Sequence, residues 1–485
     1  MSENNKYSRR QFLGQASCAA VGSTAFLSSI LNLGMINTAA ARPHIIGAPG
    51  DYKALVVILL AGGADSHNFL VPTDEGANNT GPYWNYANLR ADLALPLRNA
   101  DGSDYLININ PSNTNKNFGV HPFMPKTAQL FNQGDLSYIA NIGTLVEPIM
   151  TNAQVYNESK SLPLGLYSHS DQIMQWQTSV PQNRSAVGVG GRMADMLKDM
   201  NDIQEISMNI SLDGKNRFQA GKTVVEYAIG NSANPNDLGI QTIPYNGNAG
   251  FLTDKRNEAV DSYVNETYSN IFQKTYGQLA QQTISSQEIF KTALAKRSGF
   301  PTTFSDENLS QDMRMMADVI SVQNFLGANR QIFFTSFGGW DHHDEVINNQ
   351  ERMLPILDNA LSEFHGSMED LGLSDNVTVL TISDFGRTLT SNGNGSDHAW
   401  GGNSMVLGGA VNGGNVFGSY PDLLLSNVLN LDDRGRFIPT TSVDELYGDI
   451  ALWFGVSPND LDYVLPNLSN FYSHSPGTSP IGIFS

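Results

Sequence analysis

A continuous apolar run over residues 53–62, KALVVILLAG, constrains the fold of this chain more than any other feature of its sequence. The run is rich in branched residues and ends in glycine, as expected of a strand buried on both faces of a parallel sheet. This order of strand and helix continues along the chain and predicts an α/β fold with a mostly parallel central sheet. Similar apolar runs recur at residues 136–142, 206–212, 331–337, 377–382 and 404–410, and segments of helical spacing lie between them at 124–133, 172–178, 190–200 and 347–371.

The domain organisation follows from the length and from one long helical stretch. A chain of 485 residues is long enough for two or three domains, but α/β folds of this size often form one domain with insertions. Residues 257–297 are polar and helical in pattern, with no strand pattern beside them. We therefore expect one domain over residues 42–485, with a helical insertion at about residues 250–300.

The first 41 residues have the features of an export signal. Residues 8–13, SRRQFL, place two arginines before the hydrophobic run 16–36, and the alanines at 39–41 are small enough for a signal peptidase. This pattern predicts export by the twin-arginine translocase, a periplasmic or secreted location, and no stable membrane insertion after cleavage. An uncleaved anchor is the alternative, because the run is marginal in length and apolarity for a membrane span.

Charge and cysteine content exclude several classes of function. The formal net charge of -19 repels nucleic acid and anionic lipid, so we expect no nucleic-acid partner. An acidic balance also suits a protein that attracts divalent cations, although a solvated acidic surface is the simpler explanation. The only cysteine, Cys18, lies in the predicted leader. The mature protein would therefore have no disulfide, thiolate ligand or cysteine nucleophile.

Histidines and carboxylates gather directly after the predicted strands. They are Asp65 and His67 after the first run, Asp341, His342 and His343 after the run 331–337, Asp384 and Arg387 after the run 377–382, His398 in the next loop, and Ser168 and His169 ahead of a short amphipathic helix. Because the carboxyl ends of parallel strands meet at one edge of a sheet, we expect these side chains to lie together. Carboxylates and neutral imidazoles are the ligands that divalent zinc, manganese or iron accept from a site without thiolates.

Each of these segments also has a purely structural interpretation. Asp65 can cap a turn, Ser168 can cap a helix, and Asp384 can form an ion pair with Arg387. Asp341 and its neighbouring histidines can form a hydrogen-bonded loop. The arrival of all four segments at strand ends favours a shared site. Two divalent cations about 4 Å apart would stabilise both the attacking and the leaving oxygen in displacement at phosphorus or sulfur.

The ordered set of motifs resembles a family of twin-arginine-exported bacterial proteins, domain-of-unknown-function family 1501 (DUF1501), which is grouped with alkaline phosphatases and sulfatases. The resemblance covers residues from about 53 to 471. The matching stretches are LLAGGADSHNFLVP, HP at 121–122, LYSHSDQIMQWQTS, FGGWDHHDEV, ISDFGRT, DHAWGGNSMVLGGAVNGG, DIALWFGV and LPNL.

The resemblance implies an alkaline phosphatase-like α/β/α sandwich with two divalent metal ions, and the sequence does not distinguish zinc, manganese, calcium and iron. One ion would be held by Asp341, His343 and His398, and the other by Asp65, Asp384 and Ser168. Ser168 would also be the nucleophile, activated as an alkoxide, with Ser66 as the rival candidate. Arg387 would contact the anionic group of the substrate.

The sequence departs from the wider superfamily at two points. The usual Asp-His pair appears here as Asp384-Phe385, so a ligand is missing unless His67, Asn68 or His169 supplies it. The spacing of Asp341 and His343 is also tighter than the phosphatase pattern, which leaves His342 as a competing ligand. A sulfatase with a cysteine-derived nucleophile is excluded, because no cysteine follows the leader.

The sequence therefore predicts an exported, metal-dependent hydrolase of a phosphate or sulfate ester, either a small molecule or a group carried on a polymer. The rival hypothesis is a non-catalytic periplasmic or envelope binding protein that retains the fold, and Phe385 in place of the expected histidine motivates it. A third alternative is a single structural cation without turnover. Metal content separates these hypotheses.

Overall fold

A computed structural model describes residues 51–231, 285–475 and 477–484, together with isolated positions between 254 and 273. The predicted export signal and most of the predicted insertion lie outside the described residues. Near the end of that insertion, residues 285–294 are helical. Across the described residues, no helix combines the length and apolarity needed to cross a membrane.

The strands form one large sheet and one small sheet. In chain order they are β1 (Lys53–Ala61), β2 (Leu70–Pro72), β3 (Ile107–Ile109), β4 (Phe118–Val120), β5 (Leu136–Gly143), β6 (Asn209–Ser211), β7 (Tyr227–Ala228), β8 (Arg330–Gly338), β9 (Val377–Ser383), β10 (Gly402–Leu407), β11 (Val416–Gly418) and β12 (Thr441–Ser442). The large sheet has the order β11-β5-β10-β9-β1-β8-β6-β7, with β12 also paired to β5, and β2, β4 and β3 form the small antiparallel sheet. All six strands predicted from apolar runs are present.

The large sheet is mostly parallel, as the sequence predicted. β1 pairs in parallel with β8 on one side and β9 on the other. β10 is the exception, because it runs antiparallel to both β5 and β9. The run at 404–410 therefore forms a strand whose direction its composition did not reveal, and the run at 206–212 forms a strand only over β6.

Helices cover both faces of the large sheet. Apart from the helical residues 285–294, the α-helices of the described residues are α1 (Pro82–Arg90), α2 (Pro125–Gln133), α3 (Asn152–Tyr156), α4 (His169–Thr178), α5 (Val189–Leu197), α6 (Asn308–Ser321), α7 (Val346–Asp370), α8 (Val443–Phe454) and α9 (Leu461–Val464). Successive residues of β1 point to opposite faces, so Val56 joins one core with α2, α6 and α7, while Val57 joins the other with α4, α5 and α8. The result is the predicted three-layer α/β/α arrangement.

The carboxyl ends of the three central strands bring their loops into contact. The loop after β1 touches the loop after β8 at Gly62, where a Cβ atom would lie 2.5 Å from the backbone nitrogen of Asp341. Gly62 also has a φ of +121°, which side-chain-bearing residues rarely adopt. This position therefore requires glycine, and it fixes the place where Asp341 leaves the sheet.

A candidate metal centre at the strand ends

Three histidine rings converge on one point above the carboxyl ends of the central strands. The Nε2 atom of His398 lies 3.1 Å from Nε2 of His169 and 2.8 Å from Nε2 of His343. The carboxylate of Asp341 completes the cluster, with Oδ1 3.1 Å from Nε2 of His343 and Oδ2 3.4 Å from Nε2 of His169. We call these four residues the His/Asp cluster.

The cluster is assembled from three separate parts of the chain. His169 is the first residue of α4, and Ser168 caps that helix by accepting from the backbone N–H of Asp171. Asp341 and His343 follow β8, and His398 lies beside the strand-end loop through a backbone bridge to Arg387. The structure thus brings together four side chains from the segments that the sequence singled out, three of them from loops that follow strands and one from the start of a helix.

Each imidazole in the cluster is held from behind by an oxygen atom at Nδ1. His169 Nδ1 contacts Oδ2 of Asp384 at 2.7 Å, and His398 Nδ1 contacts the carbonyl oxygen of Tyr167 at 2.7 Å. His343 Nδ1 contacts Oδ1 of Asp397 at 3.1 Å. Because carbonyl and carboxylate oxygens only accept hydrogen bonds, the proton of each neutral ring belongs on Nδ1. The lone pair of each Nε2 then faces the cluster.

A divalent cation fits this donor set. Lone pairs that face each other at 2.8 and 3.1 Å repel unless a positive charge lies between them. Ligand atoms about 2.0–2.2 Å from a tetrahedral ion lie roughly 3.3–3.6 Å apart. The observed separations of 2.8–3.4 Å are slightly shorter, so a small outward movement of the rings would admit an ion. The ligand atoms of His169, Asp341 and His398 all lie within 4.8 Å of one another, and His343 adjoins them on the solvent side. Outer oxygen atoms that orient ligating histidines are the usual support of such sites.

The charge state of the cluster suits metal binding. Burial tends to raise the pKa of Asp341, but a hydrogen bond and the positive charge of Arg387 outweigh it, so the pKa lies below its ordinary value. Burial lowers the pKa of His398, which favours its neutral, ligating form. Burial also tends to raise the pKa of Asp397, but hydrogen bonds from Asn392, His343 and Arg434 lower it to about 2. The cluster therefore offers an ionised carboxylate and a neutral imidazole at neutral pH.

The side chain of Arg387 is buried beside the cluster and donates to protein oxygen atoms. Its side chain has no exposed surface, and it donates to the carbonyl oxygens of Gly62, Gly63 and Ser396. It also donates to Oδ1 of Asp341. The expectation that Arg387 contacts a substrate anion is therefore corrected, because protein oxygen atoms, including the carboxylate of Asp341, accept from its N–H groups.

The three residues expected to hold a second metal ion each contact a different part of the protein. Asp65 is buried in an ion pair with Arg90 at 3.0 Å. Asp384 accepts from the backbone N–H of Gly62 at 3.0 Å and orients His169 with its other oxygen. Ser168 caps α4, and its Oγ lies 3.2 Å from Oγ of Ser170. The second ligand set that the resemblance implies therefore stays a prediction, and in the structure each of its side chains has a different protein partner.

The remaining candidates lie behind the cluster. His67 is buried with Nε2 3.1 Å from the carbonyl oxygen of Arg387, and burial lowers its pKa to about 4. His342 is buried, and no described hydrogen bond or ion pair joins it to the cluster. Ser66 is buried and accepts from the backbone N–H of Asn403 at 2.8 Å. The roles expected of these three residues stay predictions.

Sequence reasoning gave no role to four residues that support the cluster. Oδ1 of Asp397 contacts Nδ1 of His343, and Oδ2 of Asp397 lies 2.5 Å from Nη2 of Arg434. Tyr167 contributes only a backbone oxygen, which no side-chain pattern reveals. Arg90 is fully buried beside Asp65. Asp397 and Tyr167 both lie in matching motifs, directly before His398 and Ser168, but only Asp397 acts through its side chain.

The layers, the sheet order and the cluster at the strand ends define an α/β protein with a candidate metal centre. The chain belongs to the family described as "Protein of unknown function (DUF1501)", whose profile matches residues 52–456. This match confirms the family that the motifs indicated. Among curated proteins, no relative matches the chain.

Three solved structures are similar to this chain at low identity. Ps i-CgsB in complex with k-i-k-neocarrahexaose has 11% identity and a TM-score of 0.32, over 84% of this chain and 72% of that one. The lipoteichoic acid synthase LtaP from Listeria monocytogenes has 9% identity and a TM-score of 0.29, over 85% and 80% respectively. A 2-O GAG sulfatase has 7% identity and a TM-score of 0.29, over 84% and 71%.

Proposed function

We propose that this protein is a metal-dependent hydrolase of a phosphate or sulfate ester, with its reaction centre at the His/Asp cluster. The observation that carries the proposal is the orientation of the three imidazoles. Their Nε2 atoms converge beside Asp341 while each Nδ1 contacts an oxygen atom behind it. The motifs that resemble those of alkaline phosphatases and sulfatases support an anionic ester as the substrate.

Exposure of the cluster favours a catalytic centre over a closed structural one. The side chains of Asp341 and His343 are 47% and 45% exposed. Structural metal sites are enclosed by four protein ligands, whereas catalytic sites have three and keep a position open to solvent and substrate. The ligand atoms of His169, Asp341 and His398 lie within 4.8 Å of one another, and an ion held by these three residues would keep such a position beside His343. The exposed side of these two residues is where we expect an ester to approach.

The residues around the cluster prepare it for hydrolysis. A divalent cation bound there would supply Lewis acidity to an ester oxygen and lower the pKa of water. Asp384, Asp397 and the Tyr167 carbonyl hold the imidazoles in the neutral tautomer with Nε2 inward. Arg387 holds the Asp341 carboxylate in place. These contacts preorganise the donors before substrate arrives, so little reorganisation is needed during the reaction.

The proposal is tested by removing one ligand at a time. Asp341→Asn and His398→Ala should lose bound metal, measured by elemental analysis of purified protein. Both should melt at lower temperature, because a cation that binds only the native state stabilises it by mass action. Turnover of an activated aryl phosphate or sulfate should fall at least about a hundredfold, the scale of losing a key catalytic group. His474→Ala is the matched control, since His474 pairs with Asp462 away from the cluster.

The outcomes separate the proposal from its rivals. Unchanged metal content in both ligand variants would contradict the assignment of the cluster. Bound metal without hydrolysis of any aryl ester, across several divalent cations, would favour a binding protein or a structural cation. Wild-type protein without metal would remove the basis of the proposal.

A further inference from the structure

Arg90 is a charged side chain with no exposed surface at the end of α1. It donates from Nη1 to Oδ2 of Asp65 and from Nη2 to Oδ1 of Asn68, each at 3.0 Å. Nη1 also lies 3.4 Å from the carbonyl oxygen of Thr388. Oxygen atoms from the loops after β1 and β9 therefore surround one buried positive charge.

These oxygen atoms have the composition of a site for a hard cation. Carboxylate, amide and carbonyl oxygens are the ligands that such cations take, and a guanidinium satisfies the same oxygens through a rigid set of N–H donors. Burial tends to raise the pKa of Asp65, but the charges of Arg90 and His67 and a hydrogen bond from Ser396 lower it below the ordinary value. The Asp65 charge is thus compensated inside the protein, and a further cation beside it would face the guanidinium.

A hydrogen-bonded path connects Arg90 to the His/Asp cluster. Oδ2 of Asp65, which accepts from Arg90, also accepts from Oγ of Ser396 at 2.7 Å. The carbonyl oxygen of the same Ser396 accepts from Nη1 of Arg387 at 2.9 Å. Nη2 of Arg387 then donates to Oδ1 of Asp341. Every side chain on this path except Asp341 is buried.

We propose that the Arg90 guanidinium stands in place of a second cation, so that the centre is mononuclear, and that Arg90 positions the ligand Asp341 through Asp65, Ser396 and Arg387. This inference rests on the proposed function, because it concerns the number of ions and the placement of one ligand at the same centre. Ser396 and Arg90 are positioning residues, since neither contacts the cluster directly.

Cobalt(II) provides a direct test, because its visible absorption reports both the number of bound ions and the ligand geometry. Titration of metal-free wild-type protein should reach its endpoint at one Co²⁺ per chain. Ser396→Ala removes only the hydroxyl that joins Asp65 to the segment held by Arg387. It should keep one ion per chain, weaken Co²⁺ binding about tenfold or more, and change the absorption bands, as loss of an outer-sphere contact does.

Two further variants keep the test decisive. Ser310→Ala removes another buried serine hydroxyl, that of a residue in α6 which accepts from Oγ of Ser305, and it should leave the Co²⁺ spectrum unchanged. Arg90→Lys keeps the charge but loses the paired donors, and should change the spectrum in the same direction as Ser396→Ala.

Each result decides a different point. Two Co²⁺ ions per wild-type chain would overturn the mononuclear centre while leaving the proposed function intact. Spectra and affinities of Ser396→Ala and Arg90→Lys equal to those of wild type would overturn the positioning role. No Co²⁺ binding by wild type would contradict the proposed function itself and remove this inference with it.

Discussion

Asp384 has two hydrogen-bonded partners, and between them they occupy its carboxylate. One oxygen accepts from the backbone N–H of Gly62, and the other contacts Nδ1 of His169. The side chain has no exposed surface, so it can support a metal ligand but cannot easily reach an ion itself. Replacement by asparagine would leave the shape unchanged but remove the charge that favours the Nδ1 proton of His169.

Ser168 provides a test of two roles at one residue. Its described contacts are those of a helix cap, because Oγ accepts from the N–H of Asp171 at 3.5 Å and lies beside Ser170. We predict that Ser168→Ala lowers the free energy of unfolding by about 1 kcal/mol, the usual cost of losing a cap. Turnover of an aryl ester should stay within tenfold of wild type.

Ser161→Ala is the control for this variant, because Ser161 is an exposed serine outside the helix cap. Chemical denaturation measures the stability change, and steady-state kinetics measures turnover at matched metal content. A hundredfold loss of turnover with metal retained would instead make Ser168 the nucleophile that the family resemblance implies.

The sequence predicted which residues gather at the site better than it predicted what each one does. Asp341, His343 and His398 follow apolar runs, and the position of a residue after a strand is readable from the pattern of the run. The roles of Asp65 and Asp384 were not readable, because they depend on partners from distant segments. Asp65 forms an ion pair with Arg90, and Asp384 contacts His169.

At the scale of elements, the central strands were predictable because burial on both faces imposes a continuous apolar composition. The direction of β10 was not, because a buried strand has the same composition in either orientation. Helix boundaries were predicted within a few residues where caps are clear, as at α4, where Ser168 precedes the first turn. The short strand β6 extends over only part of its apolar run, since pairing with β8 covers three residues.

Helix α8 contains a carboxyl group with a strongly shifted pKa. Burial raises the pKa of Asp444 to about 7, and the hydrogen bond from Ser442 and the charge of Arg192 only partly oppose it. The folded state therefore holds a proton that the unfolded state, with an ordinary pKa near 4, has released. The contribution of the protonated Asp444 carboxyl to the free energy of unfolding is fully present below about pH 4 and is lost as the pH rises through about 7.

We predict that Asp444→Asn reduces this loss, because asparagine keeps the shape of the side chain and has no charge to bury. From pH 5 to pH 8, the free energy of unfolding should fall in both proteins, and the fall in wild type should exceed that in the variant by on the order of 2–4 kcal/mol. Denaturant titrations at the two pH values measure the difference. Asp306→Asn, at an exposed position, should follow wild type. Parallel pH profiles for wild type and Asp444→Asn would contradict the prediction.

At the scale of the whole molecule, the export signal predicted from residues 8–13 concerns where the protein folds. The twin-arginine route carries folded proteins, so the metal would be inserted inside the cell, where the choice of ion can be controlled. We predict that replacing Arg9 and Arg10 together with lysine traps the precursor in the cytoplasm, measured by immunoblotting of cell fractions.

The control for export is Lys6→Gln, which changes a charge in the same leader without altering the paired arginines. Its mature product should reach the periplasm at the wild-type level, and terminal sequencing should place the new amino terminus near Arg42. Normal export of the double lysine variant would exclude this route, and an intact Met1 in exported protein would indicate an uncleaved anchor.

The His/Asp cluster joins parts of the chain that are far apart in sequence. His169 and His398 are separated by 229 residues, and His343 and His398 by 55. An ion held by all of them would act as a removable cross-link that closes two large loops, and the unfolded chain would have no comparable site. Chelation should therefore do more than stop turnover. It should open the protein to proteases at the strand-end loops, so the metal would determine how long the protein survives as well as what it does.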